Sequence, residues 1–456
     1  MIKKVSIAFF LLFIIFNALI AHTSYANNSI NDIKAKWKQF KPVYEGIPYV
    51  EEPSSKAPYK AGKVSKPMLQ DAANMMNFMR CLAGLPDDVE LDDTLCSQAQ
   101  HGAVLLAATN KMSHTPSRPA DMDEEFYKLG YKSTTSSNIF WASGYQINTL
   151  LNRSITSYMS DSDASNIDRV GHRRWILNPQ MKKTGFGLAN GFSTMQAFDR
   201  SRTEKVNYDY VAWPGIESFP KDFFSSKDAW SISLNPEKYD NKKISNIKVS
   251  LTRKSDNKIW DFDNKNTDKN GKFFNVETSG YGIPFCVIFR PEGIERYNDG
   301  DGFSVKVTGL YDKTGAQKEI EYSVEFFKLE NIIVLYPDNK YLYINNVMEE
   351  LDPGKGTKPV IVKDRLMLPI RLLVEKLGGS VEWASQENAA YIKLNDKSIK
   401  VTIGSNKALV NDVTKELDVE PQIINERTML PLRFIIENLG YEVKWDDTKR
   451  SVTITY

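Results

Sequence analysis

The sequence predicts an α+β chain of several domains, and three patterns predict it. Apolar residues recur at helical spacing from residue 65 to about 160 and then give way to short strand-like runs. Period-two alternation bounded by turn residues fills residues 214–330. Beyond residue 331 one passage is written twice at a constant offset. A length of 456 residues suggests about three domains, and 41% apolar content is enough to supply their cores.

The chain opens with Lys3 and Lys4, a run without charge from Val5 to Ala21, and the small-x-small pair Ser24 and Ala26. These are the parts of a secretory signal peptide, so residues 1–26 are expected to be removed after Ala26. Retention as an anchor is the weaker reading, because the run is slightly short for a spanning helix. No cysteine lies near the cut, so a lipid-anchored form is not expected. The mature chain should be secreted, extracellular or wall-associated, and not integral to a membrane. The 59 basic and 57 acidic residues become 57 against 57 once Lys3 and Lys4 are gone. That balance gives no general attraction to nucleic acid or anionic lipid.

Residues 27–64 carry Lys, Pro, Tyr and Ser without a period and read as an extended lead. Helices follow in 65–213. Ser65 can cap and Pro67 suits a first turn, ahead of the stripe Leu69, Ala72, Ala73, Met76 and Met79, which Gly84 and Pro86 end. Asp92 or Asp93 can cap a second helix bearing Leu95, Ala99, Ala103 and Leu106. A third is expected over Met122–Leu129, stopped by Gly130, and a fourth through Ile147, Leu151, Ile155 and Tyr158. Thr184–Ala189, Thr194–Phe198 and Tyr208–Trp213 read as strands. Cys81 falls near the end of one predicted helix and Cys96 near the start of the next. A Cys81–Cys96 disulfide, which secretion permits, and two buried thiols are both open.

Residues 214–330 read as a small β-sandwich spacer. Ile247, Val249 and Leu251 alternate with polar residues, as do Phe303, Val305 and Val307, and Asn270-Gly271 and Asp299-Gly300 mark turns. Its acidic turn does not fit a calcium loop, since Lys265 takes a ligand position.

In residues 331–456, RLMLPIRLLVEKLGGSVEW at 365–383 is matched by RTMLPLRFIIENLGYEVKW at 427–445 (431 − 369, 433 − 371, 440 − 378 and 445 − 383 all give 62). Each copy reads as hairpin, helix, hairpin: tandem α+β repeats. The apolar helix face is expected to be Leu372, Val374 and Leu377, matched by Phe434, Ile436 and Leu439. Arg371 and Arg433 either bond helix or strand carbonyls, the preferred reading, or meet an anionic partner. This repeat resembles the copper amine oxidase N-terminal-like domain, a stalk in surface proteins of Gram-positive bacteria. The resemblance implies attachment to a cell-envelope component or a surface protein. It implies no copper here, because the region contains no histidine.

Outside the leader the histidines are His101, His114 and His172. The passage LCSQAQHGAVLLAATNKMSHTP from Leu95, together with VGHRRWILNPQMKKTGFGLA from Val170, resembles the CAP superfamily of cysteine-rich secretory, antigen 5 and pathogenesis-related proteins. The resemblance implies an α-β-α sandwich with a cleft where two histidines and two acids meet. His114 and His172 match the histidines. The family's Gly-Glu-Asn acid falls on Ser136-Ser137-Asn138, which puts Ser137 in its place. Asp161 or Asp163 could supply the second acid. His101 lies inside a helix and reads as a packed or surface residue. Arg173 and Arg174 face different ways on a helix, so one of them, taken as Arg173, should line the cleft.

Two histidines without the glutamate make a poor metal site, since zinc takes three or four protein ligands. A divalent metal such as zinc on His114, His172 and Asp161 is therefore the minor expectation. No nucleophile elbow and no phosphate loop occurs. The expected function is a non-catalytic binding or structural protein whose cleft is lined by His114, Ser137, Asn138, His172 and Arg173. A metal-dependent, peptidase-like hydrolase using His114 and His172 is the first alternative. A carrier of a lipid or small amphipathic ligand is the second.

Overall fold

The computed structural model describes residues 29–456, so the expected signal peptide lies outside the described residues. One compact unit ends at Phe327 and a second spans Lys328–Tyr456. Both mix helix and strand.

The first unit begins with α1 (Ile30–Phe40), which corrects the expectation of an extended lead. Ser29 and Asp32 form a capping box, with Asp32 N–H donating to Ser29 Oγ and Ser29 N–H to Asp32 Oδ2, both at 3.2 Å. Ile33 and Phe40 are buried, and the Trp37 ring lies 4.9 Å from Phe78 and 5.6 Å from Phe223. Only these few anchors give α1 a buried face. Its lysines hide the period in the sequence.

Next come α2 (Lys66–Leu82), with Ala72, Ala73, Met76 and Met79 buried, and α3 (Asp93–Thr109), capped by Asp92 Oδ1 accepting from Thr94 and Leu95 N–H at 3.0 Å. The next helix, α4, runs Glu124–Ser136 and passes straight through Gly130. That glycine is a packing site and not a stop. A Cβ there would sit 3.0 Å from His101 O and 3.0 Å from Leu105 Cβ of α3. Its missing side chain lets two helices touch.

Strands 137–141, 192–196 and 186–189 form an antiparallel sheet in that order. Successive side chains of a strand face opposite sides. Thr194 Oγ1 donates to Ala99 O at 2.7 Å, and Gln196 Oε1 accepts from Gln98 at 2.9 Å, both toward α3. Ser193, just before Thr194 and on the opposite face, approaches Tyr158 of α5 (Leu150–Ser160). Helices therefore cover both faces of the strand.

Residues 214–330 are not an independent spacer. Strand 210–213, assigned by sequence to the helical domain, pairs with 230–234 in a four-stranded sheet that continues through 286–290 to 273–277. A five-stranded sheet carries 258–262, 248–253, 302–311, 317–327 and 217–220 in that order. Trp230 of the first sheet meets Phe303 and Phe326 of the second at 5.7 and 6.0 Å, and donates its Nε1 hydrogen to Tyr297 Oη at 2.9 Å. Cys81, Cys96 and Cys286 are thiols, so the Cys81–Cys96 disulfide is not formed. Burial raises the Cys81 thiol to about 11 and also raises that of Cys96.

In the second unit the two copies trade hairpins. Strands 380–384 and 389–394 follow the first copy's helix, α7 (Arg371–Lys376), and pair onto 397–402 of the second copy. Strands 442–446 and 451–455 follow α8 (Leu432–Asn438) and return to pair with 332–335 of the first. A third sheet joins the copies where Met367 faces Pro431 and Leu368 faces Leu430. Gly378 and Gly440 end the helices at φ +87 and +94, which glycine adopts without cost. The buried face is Leu373, Val374 and Leu377, matched by Ile435, Ile436 and Leu439. Leu372 and Phe434, expected in the core, are only partly buried. A helix of 3.6 residues per turn buries i, i+1 and i+4 together, but not i, i+2 and i+5.

Strand 186–189 leaves no room above Gly187, where a Cβ would lie 2.5 Å from Gln100 N and collide with Ala99. Gly187→Ala should destabilise the first unit by about 2 kcal/mol or more, read as a lower urea midpoint at unchanged slope.

Candidate functional site

The site is built where α5 ends and α6 (Gly171–Ile176) begins. Asp161 closes α5 in the left-handed region at φ +44, which aspartate tolerates. Val170 precedes α6 at φ +40 and is fully buried. A β-branched residue in that region is strained, at a cost of about 1–3 kcal/mol, and the surrounding packing holds it there. These two turns bring Asp161 against α6. Its Oδ1 lies 2.6 Å from His172 Nδ1, and its Oδ2 accepts from Arg173 N–H at 3.2 Å.

His172 is held from other directions too. Tyr158 stacks on its ring at 5.3 Å, and Asn138 Nδ2 donates to its carbonyl at 3.1 Å. Burial works against a charge on this imidazole and is the largest single influence. The charge of Asp161 and its hydrogen bond together outweigh burial, so the His172 pKa is raised above 6.5. The Tyr158 hydroxyl approaches those of Ser193 and Ser154, but neither Tyr158 Oη nor Ser193 Oγ reaches hydrogen-bonding geometry.

His114 lies in the loop after α3. Its Nδ1 is 2.8 Å from Thr134 O, and Thr134 Oγ1 returns a hydrogen bond to His114 O at 3.0 Å. A carbonyl only accepts, so His114 Nδ1 carries its hydrogen. Asp161 likewise takes the Nδ1 hydrogen of His172, which leaves each ring its Nε2. One segment, Thr134 to Asn138, contacts both histidines. It is five residues long, so its end Cα atoms lie at most roughly 14 Å apart.

Ser137 and Arg173 do not behave as cleft residues. Ser137 Oγ accepts from Gln196 Nε2 at 3.0 Å and is buried in the sheet. Arg173 has no exposed surface. It donates to Met159 O at 2.6 Å, Ala229 O at 2.7 Å, Ser160 O at 2.8 Å and Ser231 Oγ at 2.9 Å. Its expected place in the cleft is therefore corrected: it joins α6 to the four-stranded sheet. Arg174 does the same toward Ser279 O and Ile283 O. Asp163, the other acid considered, accepts from Ser165 and Asn166 within its own turn. His101 holds Ser97 O at 2.8 Å and packs on Phe126. Sequence reading missed Tyr158 as a ring partner, although its helical position on the fourth stripe placed it inward.

The donor set does not fit a resident metal. Among the described residues no group of three or more His, Cys, Asp or Glu could hold an ion. Asp161 already serves His172 and Arg173, and Ser137 faces Gln196. What the arrangement offers is one oriented, charge-stabilised imidazole beside a buried phenol.

Fold and site together describe a modular protein: a helix-and-sheet unit carrying a histidine site, then a duplicated module. Residues 73–198 match the cysteine-rich secretory protein (CAP) family, and residues 355–454 match the copper amine oxidase N-terminal domain. The chain carries these two domains in that order. No curated protein matches it. Two solved chains share 12% identity and a TM-score of 0.17 with it, too low to place them in one fold. They are the N-terminal part of the bacterial S-layer protein SbsC, matched over 80% of this chain and 81% of that one, and domains 1–6 of SbsC, over 87% and 58%.

The raised His172 pKa fixes a sign. The His172–Asp161 pair contributes stability in full below the unfolded imidazole value of 6.5, and loses it as pH rises through the higher folded value. Asp161→Asn should therefore cost more stability at pH 5.5 than at pH 8.5, by urea unfolding at both. Arg173→Met should be severe at either pH, about 3 kcal/mol or more, because it strips partners from four buried acceptors.

Proposed function

We propose that this chain is a secreted, cell-surface binding and structural protein. Its CAP-type unit presents a histidine cleft, and its C-terminal repeats attach it to envelope material. The observation that carries the reading is the state of the two histidines. Both histidines have Nδ1 committed to a protein acceptor, and a serine turned toward Gln196 stands where the family's acid would be. That leaves an oriented imidazole in surroundings where, among the described residues, no group of three or more His, Cys, Asp or Glu could hold a metal ion. Such a cleft suits a small polar or amphipathic ligand that accepts a hydrogen from a charged imidazole or donates one to a neutral imidazole.

The signal-like leader supports secretion, and no helix among the described residues is long and apolar enough to cross a membrane. Attachment would then fall to the second unit, which has its own core. The repeat-matched Arg371 and Arg433 donate to strand carbonyls, Arg371 to Val381 O at 2.7 Å and Arg433 to Val443 O at 3.1 Å, which supports a structural role for them.

Deleting residues 328–456 and fractionating cells should move the protein from the envelope to the medium; unchanged wall association would defeat the attachment role. For the cleft, elemental analysis of the purified chain and of the His114→Ala/His172→Ala double variant should find no metal assignable to the pair. One equivalent lost with the histidines would reinstate a metal-dependent hydrolase.

A further inference from the structure

The second unit duplicates part of its surface as well as its core. Trp383 and Trp445 are 39% and 37% exposed, and Ile361 and Ile423 are exposed at matching positions (445 − 383 and 423 − 361 both give 62). Single exposed apolar residues need no explanation. An aromatic left open at the same place in both copies points to a use.

Around Trp445 there is a cavity of about 600 Å³ whose walls come from both copies. The hairpin 360–368 supplies Ile361, Asp364 and Arg365; α8 and the strand after it supply Arg433, Phe434 and Trp445. Trp445 is fixed by its Nε1 hydrogen, which Asp447 Oδ1 accepts at 2.6 Å, so the flat face of the indole can remain available. Both cations are already engaged: Arg365 pairs with Asp418 at 2.7 Å, and Arg433 with Glu437 at 3.0 Å. Four carboxylates line the space against these two arginines, a net charge of −2.

A fixed aromatic face within a ring of hydrogen-bond acceptors, with no uncommitted cation, disfavours polyanions. It suits a ligand with a flat C–H surface edged by hydroxyl and amide donors. We propose that this groove binds a neutral polysaccharide, with a pyranose ring stacked on Trp445 and its hydroxyls donating to Asp447 and neighbouring carboxylates. The proposal rests on the attachment reading and names its ligand class. The matching place in the other copy has Trp383 and the equivalent ion pair Arg427–Asp352, also 2.7 Å, but carries Ser385 for Asp447 and Leu372 for Phe434. It is the weaker subsite.

The test is calorimetric titration of the full secreted chain with N-acetylchitohexaose and with cellohexaose. Saturable binding of either is expected. Trp445→Ala should weaken it about tenfold or more and Trp383→Ala only about two- to threefold, while Trp445→Phe retains most of it. Thermal unfolding confirms that each variant folds; if Trp445→Ala does not, Asp447→Asn replaces it with the same expected loss. Saturation by neither glycan overturns the proposal, as does binding indifferent to Trp445. Saturation by polylysine alone, lost in Asp447→Asn, overturns it in favour of a cationic polymer. If deletion of 328–456 releases the protein from cells while neither glycan binds, only the glycan proposal falls. If the glycans bind but the deleted chain stays on the cell, only the attachment reading falls.

Discussion

The guanidinium groups of Arg173 and Arg174 sit inside the first unit with no carboxylate among the described residues hydrogen-bonded to either side chain, and the placement of the histidine site depends on them. Their partners are carbonyls from the end of α5, the turn after it and the segments flanking strands of the four-stranded sheet, plus the Ser231 hydroxyl on one of those strands. Taking a cation out of water is costly, so each buried N–H needs an acceptor. Burial depresses the pKa of both groups below the usual guanidinium range. Arg80 repeats the device through Nε and Nη1 only, since its buried Nη2 makes no hydrogen bond. It donates to Pro86 O, Ile176 O and Asn178 O, and burial, then the Arg202 charge, brings it down to about 9. Three arginines thus clamp α6 from several sides. The clamp sets the backbone of His172, and only then can Asp161 aim its ring.

The same clamp explains why the first unit does not divide where composition changes. Residues 214–330 read as a separate β module because their alternation is self-contained. But Ala229 O and Ser231 Oγ receive Arg173, and Ile283 O receives Arg174. Each contact joins residues more than fifty positions apart, and nothing in a local period records it. Two arginines beside a histidine suggest an anion site from sequence; burial turns them into structural bolts.

What was legible in the sequence, and what was not, follows the range of the forces involved. The helices α2 and α3 are legible because the stripe and Gly84 stop of one and the Asp92 cap and stripe of the other each lie within about twenty residues, although the Ser65 side chain makes no cap bond. The repeat is legible because two copies bury the same positions. Its exchange of closing hairpins is not, because hairpin 380–394 satisfies the alternation rule whichever sheet it joins. Gly130 misled because glycine in a helix reads as a stop unless the partner helix is known. At the site, the motifs singled out His114 and His172, but Asp161 stood level with Asp163. The difference lies in one left-handed residue at the end of α5, and its effect is three-dimensional: Asp161 turns back under α6, whereas Asp163 caps its own turn.

Ser137 shows how a single side chain sets the charge of such a site. A carboxylate there would be buried, at the 3% exposure Ser137 now has, and would need a counter-charge or several donors. A serine needs little, and Gln196 supplies it. The sheet can then close over the position with Ser133, Ser136, Ser137 and Gln196 in one neutral network. With that position neutral, the Asp161 carboxylate supplies the hydrogen-bonded charge at His172. An imidazole hydrogen-bonded to a buried aspartate is stabilised as a cation, which raises the His172 pKa despite burial. On the proposed binding reading, a neutral network at Ser137 and an Asp161-held imidazole at His172 together present a fixed hydrogen-bond donor.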